Sequence, residues 1–471
     1  LEDFVEEAIG FHTEKIESTS YFYFNVTKEY SSGDRRLQIC DLFSMRTFIV
    51  IWLGQLVSTV GSYMTSFALT LWAWEITGSA TALALVGFFS QLPRVFVILF
   101  SGVIVDRLNR KHLMILADAI AVLSSMFILI LYVIHALQIW HLYLIGAINS
   151  SFGQMQQLAY TTSLTLLVPP QQYTRVSSMG SALNYGPAIF APALAGSLYP
   201  VIGLGGVLLI DILTFFAAFA TLIAVQIPQP IQKTMQKDDR ICLKTICQDI
   251  LFSFQYVFKQ ANLRMLLLFT SAFWMMHDLG EAIYDPMILA RTDGSAAVLA
   301  SASVAAGMGG VTGAVVVSVW GGTKRRIRGL LNGMIGAGIS KTMFGLGRIP
   351  AVWVTAQTCS SLNFPLLSSS EDALWFANVT PEIQGRVFAA STLILQGCSA
   401  IATLIAGLLA DRVFEPMMQS NSQVADLFVP IVGTGAGAGI ALLYILTSIG
   451  LLSVGISGYR IPQLWALEKT D

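Results

Sequence analysis

Twelve long apolar runs separated by polar gaps set the pattern of this 471-residue chain. Candidate helices lie near 47–74, 80–105, 113–136, 140–168, 176–199 and 204–227. After a polar interval they resume near 264–289, 296–320, 329–347, 350–379, 386–410 and 428–455. Each run approaches or exceeds the roughly 20 residues that cross a bilayer at about 1.5 Å per residue. The ninth is short and holds Lys341, whose long stem is expected to snorkel outward. The pattern predicts an all-α polytopic membrane protein of twelve transmembrane helices, with six-helix halves at 45–227 and 264–456. A cytoplasmic linker with an amphipathic helix is expected over 228–263, and tails over 1–44 and 457–471.

Composition narrows the class. The chain is 55% hydrophobic and only 12% charged, against roughly 25% charged in a soluble domain. Nine of its 28 acidic residues fall in the first 44 positions, which show no secretory signal pattern. That stretch is expected to be an acidic cytoplasmic tail, and the pattern leaves its place in the native chain open. Five cysteines lack metal-ligand or CxxC spacing, so neither a disulfide framework nor a zinc site is expected, and no cofactor is called for. A net charge of −1 argues against nucleic acid, and the missing Walker A loop argues against ATP.

Charge also orients the chain. Of the 27 Lys and Arg, Arg291, Lys341, Arg348 and Arg412 fall on one side of the bundle and Arg94 lies inside span two. All the others lie in the tails and the opposite loops, which predicts both termini in the cytoplasm of a multi-pass cell (inner) membrane protein.

The halves are related. VPPQQYTRV (168–176) aligns with VTPEIQGRV (379–387) at an offset of 211 residues, matching Val, Pro, Arg and Val. At that offset Ala195-Gly196 meets Ala406-Gly407, and Gly102 meets Gly313. Transporters built from parallel repeats bind substrate between the halves and expose it alternately on either side.

The gap after span two, GVIVDRLNRK, holds Gly102, Asp106, Arg107, Arg110 and Lys111. It resembles the GxxxDRxxR signature, followed by Lys or Arg, of the major facilitator superfamily. The turn Pro381, Gly385, Arg386, Val387, the run APALAG (191–196) and the linker QDILFSFQYVFKQANLRMLLL (248–268) are similar to its macrolide-efflux and enterobactin-exporter-like branch. The resemblance covers about 45–460 and implies a drug:proton antiporter, working as a monomer. It also implies that Asp106 latches the cytoplasmic side to the other half, while the basic residues hold the loop in the cytoplasm; topology alone is the competing reading. The second-half counterpart WGGTKRR (320–326) has no Asp, and APALAG stands where antiporters carry GPxxGG.

Ionisable groups at bilayer depth cost roughly 2.5–3.5 kcal/mol each and so need a partner or a task. Span seven carries His277, Asp278, Glu281 and Asp285, with 277, 281 and 285 on one helix face. Arg94 and Asp278 fall at comparable depths, roughly 20 and 16 Å below one face at about 1.5 Å per residue. An Arg94–Asp278 pair beside Glu281 is therefore expected to close the outer gate or carry the coupling proton, with His277 as relay; a static pair is the bland alternative. Asp285 reads as a loop-end acid, and Glu371 and Asp372 as equally suited to an inner vestibule or to water. Asp118 and Asp211 are expected to be structural, Asp118 bracing the surroundings of Asp106 and Asp211 on a peripheral helix. Asn149, Gln156, Gln157 and Tyr160 in span four, Trp274 in span seven, and Gln357 and Asn363 in span ten are cavity candidates or interhelical glue. Gly309/Gly313 and Gly433/Gly437 read as close-packing positions.

The expected function is secondary active transport, as proton-coupled efflux of an amphipathic antibiotic, siderophore or other natural product. Uptake, lipid flipping on the same scaffold and a transport-dead receptor stay open. A membrane enzyme has the least support, because His277-Asp278 has no adjacent nucleophile.

Overall fold

A computed structural model describes residues 35–107, 109–167, 173–224, 243–420 and 423–468. Among the described residues every regular element is a helix. Spans one to four are Arg35–Thr77, Ala80–Arg107, Arg110–Val133 and Ile139–Leu167. Spans five and six follow one another along Tyr173–Ala224, bent at Gly203, whose φ of 63° suits glycine alone. The helix Leu243–Lys259 precedes the second half. There, Ala261–Ala282 and Tyr284–Arg291 form span seven, Ala296–Trp320 span eight, Arg326–Leu346 span nine and Pro350–Asn378 span ten. Pro381–Leu409, extended to Gln419, is span eleven, and Ala438–Gly458 is span twelve. Twelve helical passes are thus present among the described residues.

Seven described stretches are long and apolar enough alone to cross a membrane, and one of them, Tyr185–Ile223, contains spans five and six. Spans four, seven, nine and ten fall below that standard. Those four carry Asn149 and Gln156, the His277 cluster, Lys341, and Glu371 with Asp372. Their low apolarity marks the polar interior rather than weak membrane character.

Four expectations are corrected. Span seven breaks at Ile283 instead of running on to 289. Pro286 has no N–H to return to the carbonyl of Ala282, and its ring crowds that turn. Span twelve starts at Ala438 rather than near 428, after a separate short helix Gln423–Val432. Gly433 and Gly437 are not close-packing positions within a span: with φ of 83° and 78° they make the left-handed turn between these helices. Gly309 and Gly313 do lie against backbone: a Cβ on either would collide with a span-ten carbonyl oxygen, that of Thr358 or Leu362. Lys341 does not snorkel; it is 2% exposed.

The repeated Ala-Gly steps fall where the halves cross. A Cβ on Gly196 of span five would collide with Ala300 Cβ in span eight, and one on Gly407 of span eleven would lie 2.7 Å from Ala84 Cβ in span two. Both crossings depend on bare backbone.

Apolar packing is uneven along the membrane normal. Toward the end where spans one and two, seven and eight, and eleven and twelve connect, one core joins both halves, including Trp72, Leu208, Met287, Trp353 and Leu442. This end carries few basic residues and is called here the charge-poor face. Toward the charge-rich face the described core is split, with Phe48, Met114 and Leu222 in the first half and Leu266, Leu330 and Trp375 in the second. Among the described residues the apolar core joins the halves at one face and not at the other.

Candidate functional site

A cavity of about 730 Å3 lies between the halves. Its wall comes from spans one to four and six, with Asp278, Glu281, Ala282 and Asp285 from span seven and Thr403 from span eleven. Four carboxylates (Asp211, Asp278, Glu281, Asp285) and one cation, Arg94, line it. Apolar side chains such as Leu69, Val86, Ile128 and Ile145 make up much of the remainder. Such a surface accommodates a bulky molecule with an apolar body and a polar or charged end.

The acids of span seven are held in different ways. His277 Nδ1 lies 3.1 Å from Asp278 Oδ1. Lys341 Nζ of span nine donates to Glu281 Oε2 at 3.2 Å and lies 5.8 Å from the centre of the Tyr444 ring. Glu281 bares 51% of its side-chain surface, while Lys341 bares 2%. Because Glu281 lines the cavity, its bare side faces that space. Asp285 follows the break at Ile283 and opens the short helix Tyr284–Arg291, where an acid suits the positive helix end. It lines the cavity and is no ordinary loop-end acid.

The expected Arg94–Asp278 ion pair is not formed among the described residues: Asp278 is taken by its neighbour His277, and Glu281 by Lys341. Arg94 is exposed on the same cavity. With no ion pair to lose, Arg94→Ala should leave stability within about 0.5 kcal/mol of the parent. A buried pair would have cost about 3–5 kcal/mol, a difference read directly from denaturation curves in detergent.

A second polar chain leaves the His277 ring. Phe364 packs on it edge to face at 4.9 Å, and Trp274 at 5.3 Å. Trp274 Nε1 donates to Glu371 Oε2 at 3.3 Å, and that carboxylate is buried in span ten. Sequence reasoning noticed Lys341 as a snorkelling lysine and Glu371 as suited to an inner vestibule or to water, but joined neither to the span-seven cluster.

Other candidates are dispersed. Asn149 lines the cavity and accepts a hydrogen bond from Ser124 Oγ at 2.9 Å. Gln156 donates instead to buried Asp118, which also accepts from Gln55 Nε2 at 3.4 Å. Tyr160 packs into the first-half core and Gln157 is exposed. Span ten turns its amides away from this cavity. Gln357 is buried, while Asn363 donates to Cys359 O at 2.7 Å and lies against Gly336 of span nine. Asp211 is not peripheral: it lines the cavity and accepts from Ser125 Oγ at 2.7 Å and Ser62 Oγ at 3.2 Å.

Of the signature loop, Arg110 donates to Thr162 O at 2.7 Å and Lys111 to Ile223 O at 3.3 Å, tying span three to the ends of spans four and six. Gly102, Asp106 and Arg107 lie on the last turns of span two, and the expected Asp106 latch falls outside the described side chains, as does the side chain of Arg107. Pro381 opens span eleven, with Gly385 and Arg386 exposed on its first turns.

The sequence profile of the Major Facilitator Superfamily matches residues 51–403. Macrolide efflux protein A of Streptococcus pyogenes is 26% identical over 368 residues, which is 78% of this chain and 90% of that one. Among solved structures, the nucleoside transporter NupG superposes with a TM-score of 0.62 at 13% identity, over 88% of this chain and 100% of its own. A bacterial homologue of the iron transporter ferroportin in its inward-facing state gives 0.60 at 16% identity, over 88% and 98%.

Proposed function

The chain belongs to the major facilitator superfamily, and from that premise we propose that it exports an amphipathic small molecule, of the macrolide kind, in exchange for protons. The membership makes it a membrane transporter of small molecules. The export reading is carried by one observation, the cavity shared by both halves with its apolar body and acidic end. The relative from Streptococcus pyogenes, named for macrolide efflux, supports the choice of substrate. The charge-poor face is then the outside of the cell (inner) membrane and both termini lie in the cytoplasm; the core that joins the halves at that face supports a state closed to the outside. A single chain encloses the whole cavity, so one copy suffices for transport.

In this cycle substrate enters from the cytoplasm, the halves rock, and the molecule leaves outside while a carboxylate of span seven takes up a proton for the return. A carboxylate that alternates between a cationic partner and bulk water is suited to that exchange. No bond of the substrate is altered.

Intact susceptible cells producing the chain should accumulate several-fold less erythromycin than control cells. Collapse of the proton gradient should erase the difference. Equal accumulation with and without the chain would refute export, and export persisting after collapse would refute proton coupling.

A further inference from the structure

Span two belongs to the first half, yet its N-terminus is closed by a side chain of the second. Asp411 Oδ2 accepts from Ser79 Oγ at 2.6 Å and from the Thr81 amide at 2.7 Å, and Oδ1 accepts from the Ala80 amide at 3.1 Å. One turn away, Thr81 Oγ1 donates to Gly407 O at 2.9 Å, across the crossing where the two backbones touch. The first amides of a helix have no internal partner, and an anion there meets both free N–H groups and the positive end of the helix dipole. Asp411 reaches them because span eleven widens into a π turn at Ala410–Phe414, which re-aims the side chain.

We propose that Asp411 is a gate residue of transport: its carboxylate holds the charge-poor face shut and lets go when that face opens.

The arrangement is built to release. Ser79 Oγ already lies 3.3 Å from the Ala82 amide, so span two keeps a cap of its own when Asp411 withdraws into water. Among the described residues the related crossing of spans five and eight has no such clasp. There, span eight is capped from within its own half, by Ser295 Oγ on the Val298 amide at 3.4 Å. One of the two crossings is thus fastened by charge and the other by shape alone.

The test places spin labels on a chain whose five cysteines have been replaced, reconstituted in lipid nanodiscs. One pair, at Ala136 and Ala351, spans the halves at the charge-poor face, and another, at His112 and Lys324, spans them at the charge-rich face. All four positions are exposed. Removing charge-assisted hydrogen bonds should raise the population with an open charge-poor face about tenfold in Asp411→Ala. Asp411→Asn, which keeps the shape and loses the charge, should shift it several-fold. In both variants the Ala136–Ala351 distance lengthens while the His112–Lys324 distance shortens. Unchanged distances in Asp411→Asn, or a change at one face without its converse at the other, would overturn the proposal. The readout is a distance, so it holds whether or not the chain exports a macrolide.

Discussion

Glu281→Ala should destabilise the protein by about 3–5 kcal/mol, whereas Lys341→Met should cost less than half as much. The two changes break the same ion pair, and the asymmetry comes from what each leaves behind. Without Glu281, the Lys341 ammonium is stranded at 2% exposure between spans seven, nine and twelve. The Tyr444 ring at 5.8 Å returns only part of the loss. Without Lys341, Glu281 still presents half of its side chain to the cavity, where water can solvate it. The double variant Glu281→Gln, Lys341→Met should regain most of the stability, since a neutral pair carries no desolvated charge. Thermal unfolding of the four proteins in detergent checks the order. Equal losses for the two single variants would mean that Glu281 is sealed from the cavity.

Gly407→Val should lower export at least tenfold. Its Cβ would lie 2.7 Å from both Ala84 Cβ and Thr81 Cα, atoms that no side-chain rotation can move aside. Overpacking of this kind costs roughly 1–3 kcal/mol, and here it falls on the state in which spans two and eleven touch. Gly196→Val should act likewise at the other crossing, where Ala300 Cβ and the Ala296 carbonyl stand in the way. Gly397→Ala, on span eleven with nothing within 4 Å of the added carbon, is the matched control and should export normally. Drug accumulation in cells with equal membrane levels of each variant decides it. Normal export by Gly407→Val would show that this close approach is not needed for the cycle.

The features legible in the sequence are those that bilayer physics makes costly. Charges at depth are rare enough that His277, Asp278, Glu281 and Arg94 stand out, and all four fall at or beside the cavity. Small residues recurring at one offset pointed to Gly196 and Gly407, although their meeting with Ala300 and Ala84 needed the fold. What escaped had two equally good local readings. A lysine stem in the last third of a short span can reach headgroups or a buried carboxylate, and only the presence of Glu281 across the helix boundary decides for Lys341. Helical spacing put Gln357 and Asn363 on polar faces but could not say which neighbour those faces meet. Hydropathy does not register the missing amide of Pro286, so the break at Ile283 was invisible. Asp411 and Glu371 sit near span ends, where acids are ordinary.

The apolar core that is continuous at one face and divided at the other has a thermodynamic consequence. Trimming a residue of either separate core, such as Met114 or Leu330, weighs equally on every conformation, because those contacts travel with their own half. Disturbing a contact that crosses between the halves, such as Ala300 on Gly196 or Ala84 on Gly407, penalises only the conformer in which those surfaces touch. Mutations of the first kind alter how much protein survives, and those of the second alter how long it waits in each posture. Adaptation to stiffer or more fluid lipid therefore has a defined address in this chain, along the seam where the halves share their oil.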